Sequence, residues 1–543
     1  MDEAGPCERD QAMSIANREV VKLDAAIVGG GMAGNLLARQ LSSRLPGRRI
    51  ALFERRGEYS HCVGESLVEI ASNYLVRRLG LGSYLYDRQF PKNGLRFFFD
   101  SEARDTPIQQ MSEIGSDSLP FHPAFQIDRS RFEGDLLERN ARAGVAIHSG
   151  GRVEELELGQ AGMPHRFRVT DDRGSRDFES RWLIDASGRS RMIARQQALE
   201  VPETALANGA VWGWFEGVTD VDDLGPPGFR ERVRHTPRRL STLHFLYRGY
   251  WIWFIPLQEG TTSVGVVYDR ALCDLQYRGK ESFLEFLREH TAVASLLENA
   301  KLTDARAYPH LAYGTRRFFS ADRWALTGES AAFPDPFYSP GGDFIALAND
   351  FTSDLIARDL DGASDVALRR RADLYDEFMQ FRFEAAMRLY RGHYPFFGSY
   401  ELCKLKWDFD IGCYYNLWLS AYMSDQHLDG RRLKRQLGQR FHVLSALSNF
   451  TRLFEKVDAT LVARGDYRRH NSGEFTRGLD CLDFVHEVGR PRTDEQVLAT
   501  THEIFNEVRG RALDLLEGNA QPKAHEPKPL EWFVGDRDLS LPD

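Results

Sequence analysis

The stretch Leu23–Glu54, LDAAIVGGGMAGNLLARQLSSRLPGRRIALFE, decides how this chain folds. Asp24–Val28 ends in apolar residues, and Gly29-Gly30-Gly31-Met32-Ala33-Gly34 follows at once. Asn35–Leu45 then carries apolar residues at helical spacing, and a second apolar run, Ile50–Phe53, closes on Glu54. The order is strand, glycine turn, helix, strand and carboxylate, which is that of a dinucleotide-binding unit. Gly29 permits the tight turn, Gly31 lets the backbone approach a pyrophosphate, and Gly34 lets the helix lie close to the strand. Unpaired N–H groups at the helix start, those of Met32 and Ala33, offer the positive dipole end to phosphates. Glu54 is suited to the hydroxyls of an adenosine ribose, and the adjacent Arg55 is placed in the same cofactor-binding set.

Working outward, Leu67, Ile70, Tyr74, Leu75 and Leu79 fall on one helical face, so Gly64-Glu65-Ser66 is expected to open a helix. Gly94–Asp100 reads as a strand preceded by Pro91-Lys92-Asn93. Phe125–Leu158 reads as strand, helix and returning strand, with Asp128 or Ser130 as N-cap. Arg166–Thr170 and Arg181–Ala186 form two strands, the second running into Asp185-Ala186-Ser187-Gly188-Arg189. A turn of small residues there brings backbone close to a ligand at the carboxyl ends of the strands. Between Gly209 and Tyr268 the pattern becomes alternating and aromatic-rich, a separate antiparallel sheet, and Glu281–Leu297 is a helix leading back. Gly341-Gly342 precedes an apolar helix, so N–H groups there can face an anion. Beyond Asp350 the chain is mostly helical to about Leu516. Its aromatic stretch Tyr390–Met423 is either helix core or the wall of a site for an aromatic or acyl substrate. Gln521–Asp543 is a tail laid on the surface.

A chain of 543 residues is too long for one core. A net charge of −9 without a polybasic run argues against a general nucleic-acid role. Cys7, Cys62, Cys273, Cys403, Cys413 and Cys481 form no CxxC pair and no metal-ligand spacing, and read as reduced thiols. No apolar run approaches the roughly 20 residues of a membrane span. The acidic first twenty residues read as a loose arm rather than a signal peptide. The expectation is a soluble cytoplasmic protein with no metal site.

Several of these stretches together resemble the flavin-dependent halogenases within the wider FAD-dependent monooxygenases, over about residues 20–425. The glycine fingerprint, Asp185–Arg189 and the block Gly328–Gly342 are shared across that superfamily and imply FAD. The discriminating piece is Trp251-Ile252-Trp253-Phe254-Ile255-Pro256, which matches the halogenase pattern WxWxIP at every fixed position. The family also carries a lysine between flavin and substrate. In phenol-type members it lies in a pattern like F-x-K-x-G after a GES motif. Here Phe90-Pro91-Lys92-Asn93-Gly94 follows Gly64-Glu65-Ser66, so the resemblance assigns the role to Lys92, a residue that would otherwise be a solvated loop lysine.

The resemblance implies an α/β fold. A Rossmann-like FAD-binding domain (20–200 and 301–355) would carry an inserted β-sheet substrate domain (85–125 and 205–300), a C-terminal helical region (356–520) and the tail (521–543). It further implies that reduced FAD and oxygen convert chloride or bromide into hypohalous acid. Trp251 and Trp253 would keep substrate from the flavin, and Lys92 would pass the halogen to an electron-rich ring, a phenol or pyrrole, free or tethered to a carrier. Cofactor contacts are expected from Glu65, Ser66, Arg131, Asp185, Gly188, Gly328, Glu329, Pro336, Gly341 and Gly342, and halide contacts from Ser339, Gly341 and Gly342. No second nicotinamide fingerprint appears, so reduced flavin would come from a separate reductase.

Three departures qualify the match. Asp335-Pro336-Phe337-Tyr338-Ser339 lacks the glutamate of the tryptophan-halogenating branch, which argues against free tryptophan as substrate. Glu329 replaces the usual aspartate after Gly328, and Glu69 replaces a proline common after GES. Two rival functions stay open: a flavin monooxygenase hydroxylating a bulky or carrier-bound aromatic, and an inactive flavoprotein-like accessory module.

Overall fold

The computed structural model describes residues 20–160, 162–477, 483–519 and 522–541. The N-terminal arm, Cys7, Cys481 and the tail residues 521, 542 and 543 lie outside the described residues. Two sheets organise the rest. In the first, of seven strands, Val21–Val28 lies between Ile50–Glu54 and Gly174–Asp185 and is parallel to both. Ala146–Ser149 extends it on one side. Trp324–Leu326 pairs in parallel with the end of Gly174–Asp185, whose start turns back into the antiparallel strands His165–Asp171 and Arg152–Glu157.

Parallel register brings Val28, Phe53, Asp185 and Leu326 to one end of the sheet. The glycine turn closes onto that end. Gly29 has φ +110°, and a Cβ there would lie 2.2 Å from the Ala186 carbonyl oxygen; one on Gly34 would lie 1.9 Å from the Gly29 oxygen. The helix Met32–Arg44, the first strand and the loop after Asp185 are therefore in backbone contact.

The second sheet has eight strands in the order 301–308, 208–216, 261–269, 250–256, 242–247, 95–99, 112–114, 475–476. It is antiparallel through its aromatic half but joins Thr242–Tyr247 to Leu95–Phe99 in parallel. The strand Tyr250–Pro256 divides its side chains by strand alternation. Trp251, Trp253 and Ile255 pack towards Phe337, Phe397 and Trp407, while Tyr250, Ile252 and Phe254 pack with Phe245, Phe283 and Leu287 on the other face.

Several local elements differ from the sequence reading. Gly64–Ser66 does not open a helix. Gly64 is left-handed at φ +100° and Ser66 bridges to Gln126, so the helix begins only at Glu69. Phe90–Lys92 is not a loop but a short strand paired with Ala124–Gln126. Asp128 is the N-cap of Arg129–Arg142. Glu281–Leu297 is two helices, Lys280–Arg288 and Thr291–Leu296, parted where the His290 ring meets the Tyr250 hydroxyl. The tail seats Phe533 against Phe450 and Phe505 of the C-terminal helices. No helix among the described residues is long and apolar enough to cross a membrane, and the four described cysteines are free.

Candidate functional site

Two neighbouring cavities share Pro340 and Phe344 in their walls. The smaller, about 200 Å³, opens at the glycine turn, with Gly31, Met32 and Ala33 at one end. Its walls include Glu65, Ser66, Gly188, Gly328, Glu329, Pro336, Ser339, Gly341 and Gly342. Gly29 and Gly34 lie beneath, in the backbone contacts described above. Glu54 is buried at the end of its strand, where its carboxylate accepts the Gly30 N–H (2.8 Å) and the backbone and side chain of Arg56. Glu329 is held by Arg189 at 2.8 Å.

Six residues of the sequence-based cofactor set do not line this cavity: Gly29 and Gly34 beneath it, Glu54, whose two oxygens are taken by Gly30 and Arg56 rather than left for a ribose, and Arg55, Arg131 and Asp185. Arg55 is exposed beside the paired Arg56. Arg131 turns outward to Glu259, because two residues along a helix rotate the side chain to the opposite side. Arg129 lines the cavity instead. Its signal was its i,i+4 relation to Glu133, which accepts the Met32 N–H at 3.0 Å, so that N–H, expected from sequence to be unpaired, is not. Asp185 turns inward, accepting N–H groups of Ser187 and Ile193, and so fixes the loop rather than facing the cavity.

The cavity fits a flavin dinucleotide on two counts. The glycine turn admits backbone approach at Gly31, where an added Cβ would meet nothing closer than 3.9 Å. Polar atoms are also left unpaired in its wall. Glu65 is fully buried, with one oxygen accepting the Trp214 indole N–H at 2.6 Å and the other, Oε2, without a partner. Burial raises its carboxyl pKa to about 7. The helix Gly341–Leu360 starts at the same cavity, and its first N–H groups have no acceptor within the helix, a setting for an anion. Ser339, just before it, is left-handed at φ 55°, a strained position for a residue with a side chain.

The larger cavity, about 390 Å³, lies beyond. Its wall is aromatic: Tyr390, Trp407, Tyr414, Tyr415 and Trp418 line it, whereas Tyr394, Phe396, Phe397, Tyr400 and Phe409 of the same stretch are packed in the core. Polar groups converge at one end in Lys92, Glu69, Asp343 and Arg382. Glu69 accepts the Tyr415 hydroxyl, and Asp343 accepts the Ala71 N–H. No motif marked Asp343 or Arg382, and both were missed from sequence.

Lys92 is 2% exposed. Its ammonium donates to Ser66 Oγ and to the Leu67 carbonyl, both at 2.8 Å. Ser66 Oγ in turn lies 3.0 Å from both Ser339 Oγ and Thr242 Oγ1. Lys92 lines the larger cavity and Ser66 the smaller, so this one hydrogen bond passes through the wall between them. Desolvation lowers the amine's pKa to about 8, against the opposing pull of Glu69 and Asp343.

Trp251 and Trp253 line the smaller cavity and are absent from the lining of the larger. They form one leaf of a thicker aromatic partition. Trp251 meets Phe337 (5.3 Å between ring centres), Phe337 meets Phe97 (5.6 Å), and Phe97 meets Trp407 (4.9 Å) on the far side. Trp253 has room only because its cross-strand partner is Gly265. A Cβ there would lie 2.3 Å from the indole and 2.6 Å from Trp212 Cβ. Gly265→Ala should displace Trp253, cost about 1–3 kcal/mol by overpacking and shift the indole fluorescence. An unchanged melting temperature and emission spectrum would show that the indole is not confined in this way.

A tryptophan halogenase family model matches residues 100–397, more than half of the chain. The chain belongs to the flavin-dependent halogenases. This halogenase is 27% identical over 450 residues to the flavin-dependent halogenase chlA of Dictyostelium discoideum, covering 75% of this chain and 71% of that one. It is 26% identical over 344 residues to a 1H-pyrrole-2-carbonyl peptidyl-carrier-protein chlorinase of Pseudomonas fluorescens, covering 59% of this chain and 72% of the relative. The crystal structure of halogenase PltM in complex with phloroglucinol and FAD shares the fold, with a TM-score of 0.65 at 16% identity over 91% of this chain and 98% of that one. The halogenase is an oxidoreductase, a flavoprotein whose cofactors are FAD, in its reduced form, and a halide ion.

Proposed function

We propose that this halogenase acts on an electron-rich aromatic, a phenol or pyrrole-like ring that is free or carrier-tethered, with Lys92 presenting the oxidised halogen. FAD, bound along the smaller cavity and reduced by a separate flavin reductase, supplies the electrons with which oxygen turns halide into hypohalous acid. The chain's own residues do the rest. Arg129, Glu65 and the glycine turn hold the cofactor, and Ser339 with the N–H groups of Gly341 and Gly342 holds the halide. Trp251, Trp253 and Phe337 keep the ring away from the flavin. The observation that carries this reading is the Lys92–Ser66 hydrogen bond through the wall.

Two of the three ammonium N–H donors are engaged by Ser66 and Leu67. The third is left to polarise the oxygen of the hypohalous acid. The ring carbon then bonds the halogen, the halogen–oxygen bond breaks, and the ring proton leaves with the hydroxide as water. The carrier-tethered alternative is supported by the carrier-protein substrate in the Pseudomonas relative's name. The cellular site we propose is the cytoplasm, where reductase and reduced nicotinamide are at hand.

Supplying FAD, a flavin reductase, NADH, oxygen and bromide with a panel of phenols and pyrroles tests the proposal. Brominated product is expected, and halide-independent oxygenated product would overturn it. Because the donating amine must stay charged, product formation should fall as pH rises through about 8. Glu69 and Asp343 face the same amine and hold the limb up towards that value. A rate that climbs through the same range would mean that the neutral amine is the active form.

A further inference from the structure

We infer that Arg382 receives an anionic oxygen of the aromatic substrate, a phenolate or a carboxylate, and so sets which rings enter the larger cavity. The inference rests on the proposed function of that cavity and adds the substrate's charge to it. In the helix Asp365–Met387, Leu368, Ala372, Tyr375 and Met379 recur at core spacing and are all at most 1% exposed. Arg382 is the next position of that stripe and is 7% exposed. A cation on the buried face of a helix is costly unless something pairs with it. Arg382 lines the larger cavity with its guanidinium carbon 3.6 Å from the centre of the Trp418 ring.

That stacking leaves the N–H edge of the guanidinium without a partner. Among the described residues, no hydrogen bond and no ion pair within 4.0 Å reaches it. Of the other cations of this cavity, Lys92 has two of its three donors on Ser66 and Leu67, and Arg477 pairs with Asp117. Asp343 acts on Arg382 only at longer range. It accepts the Ala71 N–H, and its own burial raises its pKa to about 7, so it is a weak counterion near neutrality. Tyr390 and Tyr414 also face the arginine and stay neutral, since burial holds both phenols well above their usual range. An arginine fork stacked on an indole, with its donors free in an aromatic cavity, is matched to an oxyanion on a flat ring. A phenolate is also the ionisation state in which a ring is most open to an electrophile.

Binding of 4-nitrophenol to the protein loaded with oxidised FAD, without halide or reductant, tests this, because the phenolate's visible absorption reports its ionisation in the cavity. The wild type should bind 4-nitrophenol about tenfold or more tightly than 4-nitroanisole and hold it as the phenolate at a pH below its solution value. Arg382→Met should erase both effects, and Arg382→Lys should restore part of them. A 4-nitrobenzoate arm separates the sources, since tighter benzoate than phenolate binding assigns the carboxylate. Equal binding of phenol and ether by the wild type, with 4-nitrobenzoate held no more tightly than either, would overturn the inference even if Arg382→Met fails to fold. So would bromide displacing the phenolate from wild type and not from Arg382→Lys, which would make Arg382 a halide site. Neither result touches Lys92, whose role is read from halogen transfer.

Discussion

Lys92→Met is expected to cut halogenated product by about 10²- to 10³-fold, the loss typical of removing one preorganised donor from a dry site. Flavin reoxidation and release of hypohalous acid should continue, because Ser66, Ser339 and the glycines on the other side of the wall are unchanged. The protein should not lose stability. The ammonium is 2% exposed and its pKa is pulled down by desolvation, and replacing a buried charge by an apolar side chain of similar length is often neutral or stabilising. A melting curve beside the product assay separates chemistry from folding. Product retained at wild-type level would remove Lys92 from the reaction.

Gly342→Val should have an effect of similar size for a different reason. A Cβ at Gly342 would lie 2.7 Å from Ala71 Cβ and 3.1 Å from Leu67 Cδ2, so the helix Gly341–Leu360 and the segment Leu67–Asn73 cannot both keep their places. Leu67 supplies the carbonyl that holds Lys92, and Ser66 precedes it. A shift of about 1 Å there is enough to lower turnover by about a hundredfold, alongside a stability loss of about 1–3 kcal/mol. The control is Gly341→Ala, one residue earlier, where the nearest atom to an added Cβ is Phe333 Cε2 at 3.9 Å. That variant should fold and retain FAD. Similar melting temperatures and flavin contents for the two variants would contradict the argument.

The parts of the site that could be read from the chain are those made by neighbours in sequence. The turn Gly29–Gly34 announces itself because strand, turn and helix are contiguous. The alternation in Tyr250–Pro256 shows that Trp251 and Trp253 share a face, but not that Gly265 opposite makes the space for one of them. Lys92 is singled out only by the resemblance of Phe90–Gly94 to the family's F-x-K-x-G pattern, and its burial arises from pairing of Phe90–Lys92 with Ala124–Gln126, about thirty residues away. The helix expected at Gly64 fails for the same reason, since Ser66 is drawn into an extended bridge with Gln126. Which arginine of Arg129–Arg142 faces the cavity depends on the helix phase, which the Asp128 cap sets. Glu69, Asp343 and Arg382 come from three separate segments and meet only in the folded cavity. Arg382 nevertheless left a trace in the chain, as a charge on an apolar stripe.

In the proposed reaction the substrate ring never touches the flavin, and only halogen crosses the wall at Lys92. Turnover under ¹⁸O-labelled dioxygen with bromide, followed by mass analysis of the product, tests it most directly. The predicted product carries bromine and no ¹⁸O, and none forms without halide. A hydroxylated product carrying ¹⁸O, formed equally well without bromide, would contradict it.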